Sequence, residues 1–260
     1  MSSIGIVGGS GMLGSAIAQA WLDSDAVAPG DLWIANRSGA RGDLPADVTV
    51  PDAPAALAAA CDTILISIPP AAVPDLRLPA EDRLILSVMA AVTIEDLQRL
   101  TGSARVIRAM SSPAAARRLA YSPWVAAPGA SEDDRMVARR LLSACGTEDA
   151  LEDEALLDHF TALTGPVPGF VAWFAAAMSE HAVAQGIPPR AADRAIRQLF
   201  RASGEMLAED PPEAADHVRQ MLDYAGTTAA GLQVLEDSPL SGLISEALNA
   251  AAQKARDMRP

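Results

Sequence analysis

The chain has 260 residues, a length for one large domain or two of ordinary size. Half of the residues are hydrophobic and a fifth are charged, which marks a folded chain and excludes a disordered one. A formal net charge of -13 sets the surface against nucleic acid and anionic membranes, so neither is expected as a partner.

In chain order, Ile4 to Val7 is a short apolar run ending in glycines, the pattern of a buried parallel strand. The loop Gly8-Gly9-Ser10-Gly11-Met12-Leu13-Gly14 follows, and Ser15 to Leu22 reads as a helix. Asp31 to Ala35 is a second strand, ending at Asn36-Arg37-Ser38. Residues 53 to 60 are alanine-rich and helical, and Thr63 to Ile68 is a third strand stopped by Pro69-Pro70. Arg83 to Val88 is a fourth strand. Thr93 to Leu100 is a helix that Thr93 can cap, with Asp96 at the capping-box position. Arg105 to Ala109 and Trp124 to Ala127 read as the fifth and sixth strands, and Asp133 to Ala144 as an amphipathic helix.

Strands alternating with helices predict right-handed crossovers and a mostly parallel sheet. Past residue 150 the period changes. Residues 151–163, 169–185, 189–208, 212–222 and 227–258 read as helical, the third opening at Pro188-Pro189 and the last broken near Ser238-Pro239. The expected fold is α/β: a doubly wound Rossmann sheet over residues 1–150, then an all-helical substrate and dimerisation domain over 151–260. Alanine-rich helices of this size predict an apolar face buried in a partner subunit, in a homodimer or larger assembly.

Gly9-Ser10-Gly11-Met12-Leu13-Gly14 matches G-x-G-x-x-G directly after a strand and at the opening of a helix, the context a dinucleotide fingerprint requires. Gly9 is expected to make the tight turn, Gly11 to admit the pyrophosphate, and Gly14 to let helix and strand pack closely. The helix start, with Ser10, Met12 and Leu13, offers N–H groups to the phosphates. An acid at the end of the second strand would bind the ribose hydroxyl of NAD. Asn36-Arg37-Ser38 stands there instead, with Arg41 as a second cation, so the expected cofactor is NADP. Ile68 and Pro69, at the end of the third strand, are expected to line the same cofactor.

The C-terminal half contains Ala225-Gly226-Thr227-Thr228-Ala229-Ala230-Gly231-Leu232. With the N-terminal loop, this resembles the pyrroline-5-carboxylate reductase family, whose pattern here runs close to P-G-G-T-T-x-x-G-L. Ser87-Val88-Met89-Ala90-Ala91-Val92 is similar to the family's S-x-A-A-G-V, Ala162-Leu163-Thr164-Gly165 to its A-L-S-G, and Ser241 to Arg256 to its terminal helix. The resemblance implies reduction of a small cyclic imine carboxylate to proline, in proline biosynthesis, by hydride from NADPH or NADH. It implies that the catalytic Thr228 hydrogen-bonds the imine nitrogen, and that N–H groups around Gly226 and Thr227 hold the carboxylate. Without the resemblance, Thr227-Thr228 reads equally well as a plain helix cap.

Four departures from the family pattern fall on the substrate side. Met110-Ser111-Ser112-Pro113 lacks the family's asparagine, and Pro69 replaces a lysine. Thr164 to Phe170 replaces S-G-S-G-P-A-Y, and Asp223-Tyr224 precedes the Gly-Thr-Thr element. Asp223 in a substrate pocket would repel an anion, or would bind an amine or iminium group. Three readings follow: a true pyrroline-5-carboxylate reductase, an NADPH reductase of another imine or carbonyl compound, and a non-catalytic NADP-binding regulatory protein.

The remaining candidates have plainer readings. Cys61 and Cys145 lack metal-ligand spacing and read as small buried apolar residues, and no metal site is expected. His159, His181 and His217 are isolated, and Glu152-Asp153-Glu154 reads as a solvated helix start. Phe170, Trp173, Phe174 and Met178 read as core or interface. The first strand begins almost at Met1, and no uninterrupted apolar run reaches membrane-spanning length, so a cytoplasmic location is expected.

Overall fold

The computed structural model describes residues 3–165, 168–209 and 212–258. Two compact units make it up: Met1–Val167 with Leu248–Pro260, and Pro168–Ala247.

The first unit is built on a sheet. Strands β1 (Ile4–Val7), β2 (Leu32–Ala35), β3 (Thr63–Ile66), β4 (Leu84–Ser87) and β5 (Val106–Ala109) are four-residue runs buried almost throughout. They pair in parallel in the order β2-β1-β3-β4-β5. Parallel strands covered on both faces need apolar side chains on both, which is why they read as unbroken Val, Ile and Leu rather than as alternation. Strand β6 (Ala120–Ala126) pairs antiparallel with β5, and β7 (Gly146–Ala150) pairs parallel with β6. The order turns about at β1, with β2 on one side and β3 on the other, and the crevice outside such a turning point is where open α/β sheets take ligands.

Helices α1 (Met12–Asp23), α2 (Pro54–Ala60), α3 (Ile94–Thr101), α4 (Glu132–Ser143) and α5 (Leu156–Thr164) complete this unit. Trp21, Ile34, Leu65, Leu86, Trp124 and Leu141 belong to one apolar cluster, and Leu57, Ile64, Ile66, Ile85 and Leu97 to another. The expected capping box is present: Thr93 Oγ1 accepts from the Asp96 N–H at 3.1 Å, and the Asp96 carboxylate accepts from the Thr93 N–H at 3.1 Å.

Several boundaries move. Helix α1 opens at Met12, inside the glycine motif, and β3 stops at Ile66, so Ile68 and Pro69 lie beyond it. Strand β6 opens at Ala120, four residues ahead of the apolar run at Trp124. No apolar signal announces β7. It is held by polar side chains instead: Trp124 Nε1 donates to Glu148 at 2.6 Å, and the Tyr121 hydroxyl to Asp149 at 2.8 Å. Charge on an edge strand also deters pairing with another chain.

The second unit is helical: α6 (Gly169–Ala184), α7 (Pro189–Glu209), α8 (Ala214–Asp223) and α9 (Thr227–Glu236). Helix α10 (Leu240–Asp257) begins in it and ends in the first. Pro189 opens α7 as expected of a proline at a first helical position. Helices α6, α8 and α9 contain no buried residue, and α7 buries Ala192 alone. The stretch Leu156–Ala184 is long and apolar enough to cross a membrane by length and hydropathy alone, with a mean hydropathy of 1.3, although Asp158, His159, Glu180 and His181 interrupt it. Within it Pro166 and Val167 lie outside the described residues.

Candidate functional site

The glycine loop leaves the carboxyl end of β1. Its left-handed residue is Gly8, at φ +92, where a Cβ would sit 2.2 Å from the Ser67 carbonyl oxygen. Sequence reasoning assigned the tight turn to Gly9 and missed Gly8, although the doubled glycine was the available signal. Gly9 is needed for space instead, since a Cβ there would meet Ile34 at 2.7 Å. Gly14 has the expected role: its Cβ would lie 2.3 Å from the Gly8 carbonyl oxygen, so α1 can pack onto the loop only as glycine. Gly11 is the N-cap of α1, exposed and extended, and no side chain caps the helix. The first-turn N–H groups of Met12, Leu13 and Gly14 are therefore left without an intrahelical partner, as an anion site requires.

After β2 the chain turns at Asn36–Ala40. Asn36 Nδ2 donates to the Ala40 carbonyl at 2.9 Å, and the Ser38 hydroxyl donates to Asn36 Oδ1 at 2.7 Å. These side chains, expected as donors to a phosphate, close the turn on themselves, the usual local bonding of Asn and Ser. Arg37 stands exposed on that turn and makes no ion pair among the described residues. Arg41 is anchored, its Nε donating to the Val48 carbonyl at 3.1 Å, which leaves the far end of the guanidinium available. A cleft of about 500 Å³ opens here, lined by Ser10, Met12, Gln19, Arg41, Leu44 and Pro113 among others. The uncapped helix start and the anchored arginine thus border one hollow. These residues fit a phosphorylated dinucleotide: a loop that no side chain fills, free N–H groups, and a fixed cation.

Ile68 is half-buried and Pro69 exposed, both just past β3 on the same edge. The loops after β4 and β5 share that edge. Ala91 in the first has φ +65, and Met110, Ser111 and Ser112 in the second are buried, with Ser122 donating to the Ser111 hydroxyl at 3.1 Å. Glu154 overturns its reading as a solvated helix start, because it pairs with the buried Arg108 at 2.9 Å. Sequence reasoning missed Arg108, which sits as a charge inside an apolar strand.

The other site residues lie in the second unit. Gly226 is the N-cap of α9 in an extended conformation, and no side chain caps it. Thr227 and Thr228 are the first two helical residues and both are exposed, so neither is the cap that the sequence alone allowed. Ala225 holds φ +54, a left-handed position that costs an alanine about 1 kcal/mol. Asp223 ends α8, and Tyr224 after it is 83% exposed. A larger hollow, about 790 Å³, lies on α7 against Arg190, Arg194, Arg197 and Arg201. Two of these arginines already pair along the helix, with Asp193 and Glu205.

Neither cysteine joins a site. Burial pushes both thiols up to about 12, and both are free. No cluster of metal-ligating side chains occurs among the described residues.

Residues 154–258 match the family model for pyrroline-5-carboxylate reductase dimerisation. The chain is 27% identical over 268 residues to pyrroline-5-carboxylate reductase 2 of Bacillus subtilis, covering 100% of this chain and 96% of that protein. It is 32% identical over 208 residues to the pyrroline-5-carboxylate reductase of Schizosaccharomyces pombe, covering 77% and 73%. The fold matches the crystal structure of Plasmodium falciparum pyrroline carboxylate reductase with NADP bound at a TM-score of 0.84, with 19% identity over 100% of this chain and 98% of that one. On sequence similarity over most of its length, and on the match of residues 154–258 to the family model, the chain belongs to the pyrroline-5-carboxylate reductase family.

Proposed function

We propose that the protein is a homodimeric NADPH-dependent reductase of pyrroline-5-carboxylate. The observation that carries this reading is the start of α9, a Gly-Thr-Thr turn with no side-chain cap, within a segment similar to the family throughout. Bound NADPH supplies the hydride. The loop from Gly8 to Gly14 holds the pyrophosphate on the N–H groups of α1. Arg41 and Arg37 supply the positive charge that a 2′-phosphate requires. The N–H groups of Gly226, Thr227 and Thr228 receive the substrate carboxylate. The Thr228 hydroxyl holds the imine nitrogen, where the proton is needed as the carbon accepts the hydride. The apolar surface of α6 and its neighbours is the dimer contact.

A second reading has its own observation. Asp223, exposed at the end of α8, puts a carboxylate two residues before Ala225-Gly226, where an anionic substrate would be repelled and an amine or iminium drawn in. On this reading the scaffold reduces a different imine.

Oxidation of NADPH by the purified protein with pyrroline-5-carboxylate separates the two. Turnover faster with NADPH than with NADH is expected, and Thr228→Ala is expected to lower kcat about 100-fold without changing the Kd for NADPH. Arg41→Gln should raise the Kd for NADPH about tenfold and leave that for NADH unchanged. NADPH binding without turnover on this substrate, but with turnover on an uncharged cyclic imine, would establish the second reading.

A further inference from the structure

Arg108 lies on β5 with its side chain 2% exposed. Its Nη1 donates to Glu154 Oε1 at 2.9 Å and its Nη2 to Asp158 Oδ1 at 3.0 Å. The same Glu154 oxygen accepts the N–H of Ile94, the first residue of α3, at 2.8 Å. One carboxylate oxygen therefore joins the loop from β4 into α3, strand β5, and the segment that opens α5. An apolar cluster joins the same elements independently: Met110 beyond β5, Leu157 of α5, Ala90 from the loop after β4, and Ile94 at the start of α3.

Stability alone does not account for this arrangement. Arg108 Nε is buried with no partner, so the guanidinium is incompletely satisfied. A buried ion pair of this kind is commonly matched or bettered by apolar residues of the same volume, and the best-attested gain from keeping one is a unique geometry. The geometry at stake lies on the carboxyl edge of the sheet, where the glycine loop also emerges. Residues 88–93 follow β4, with Ala91 held in its left-handed conformation, and residues 110–112 follow β5.

We propose that Arg108 and Glu154 form a clamp that fixes the loops after β4 and β5 against one another, and that Arg108 is a positioning residue for the reduction. The catalytic part of this proposal rests on the reductase reading above; the structural part does not.

The test is Glu154→Ala in the full-length protein, with Arg108→Lys beside it. Glu154 is 29% exposed at its side chain, so its removal leaves no closed cavity. Hydrogen exchange is expected to speed up about tenfold or more at amides 88–94 and 110–112, and to stay unchanged in the glycine loop and α1. The Kd for NADPH should stay within about twofold, while kcat falls about tenfold or more, a loss confined to the chemical step. Arg108→Lys keeps the charge but loses the fork, and should show the same split. Unchanged exchange in both loops of the folded Glu154→Ala protein would overturn the clamp. Altered exchange with unchanged kcat would overturn the positioning role. A wild-type protein without turnover would sink the reductase reading and leave the exchange experiment to decide the clamp.

Discussion

Single atoms decide the cofactor loop. A methyl group at Gly14 would stand 2.3 Å from a backbone oxygen, a contact that no side-chain motion relieves. Gly14→Ala is therefore expected to cost about 2 kcal/mol or more in unfolding free energy, read from a denaturant titration, and to abolish NADPH binding with it. The glycine spacing was legible because each of these residues answers a local steric demand. What the spacing left open was which glycine carries the positive φ. Likewise Asn36 and Ser38 were legible as polar turn residues but not as partners of each other. Their bonds depend on how the chain bends over five residues, and residue type alone does not encode that bend.

Helix starts and edge strands show the same divide at the next scale. The Thr93 capping box could be read because its partners are three residues apart. Ser131 and Asp134 make a second box at the start of α4, and Asp134 also takes a forked pair of bonds from Arg105, at 3.1 and 2.5 Å. Burial pushes the Asp134 carboxyl up, but the bonds from Arg105 and Ser131 outweigh it and hold the group below the usual aspartate range. A carboxyl depressed by folding contributes fully above about pH 4 and loses that contribution as pH falls through its folded value. Asp134→Asn is expected to cost about 1 kcal/mol at pH 7 and to make Tm fall less steeply below about pH 4, as a series of thermal melts would show. Strand β7 was illegible because its residues Gly146 to Ala150 follow no apolar period. It forms because β6 offers it an edge and Glu148 and Asp149 find Trp124 and Tyr121.

For the whole molecule the telling quantity is apolar surface. Trp173 is 65% exposed, Val171 54% and Leu199 45%, on helices that bury almost nothing of their own. Exposed apolar residues in such numbers mark a surface that is covered in use, and the match to a dimerisation model falls on the same residues. Trp173→Glu is expected to shift the protein from dimer to monomer in sedimentation experiments and to lower Tm by about 5 °C or more. An unshifted dimer would move the contact elsewhere. The change to all-helical character near residue 150 was legible from period alone. The extent of the uncovered surface was not, because burial belongs to tertiary packing and hydropathy patterns only hint at it.

The first unit is assembled from two separate stretches of chain, and the second lies between them in sequence. Its last piece, from Leu248 onward, includes Ala252 and Ala255, both buried. On a ribosome these residues emerge after the whole of the second unit. The sheet can form early, but its unit cannot close until the stretch from Leu248 onward has emerged as well. Nascent chains halted before residue 248 should therefore remain more open to protease in the sheet unit than the 260-residue chain, and a stop codon that removes α10 should destabilise the sheet unit, whose first stretch ends far upstream at Val167.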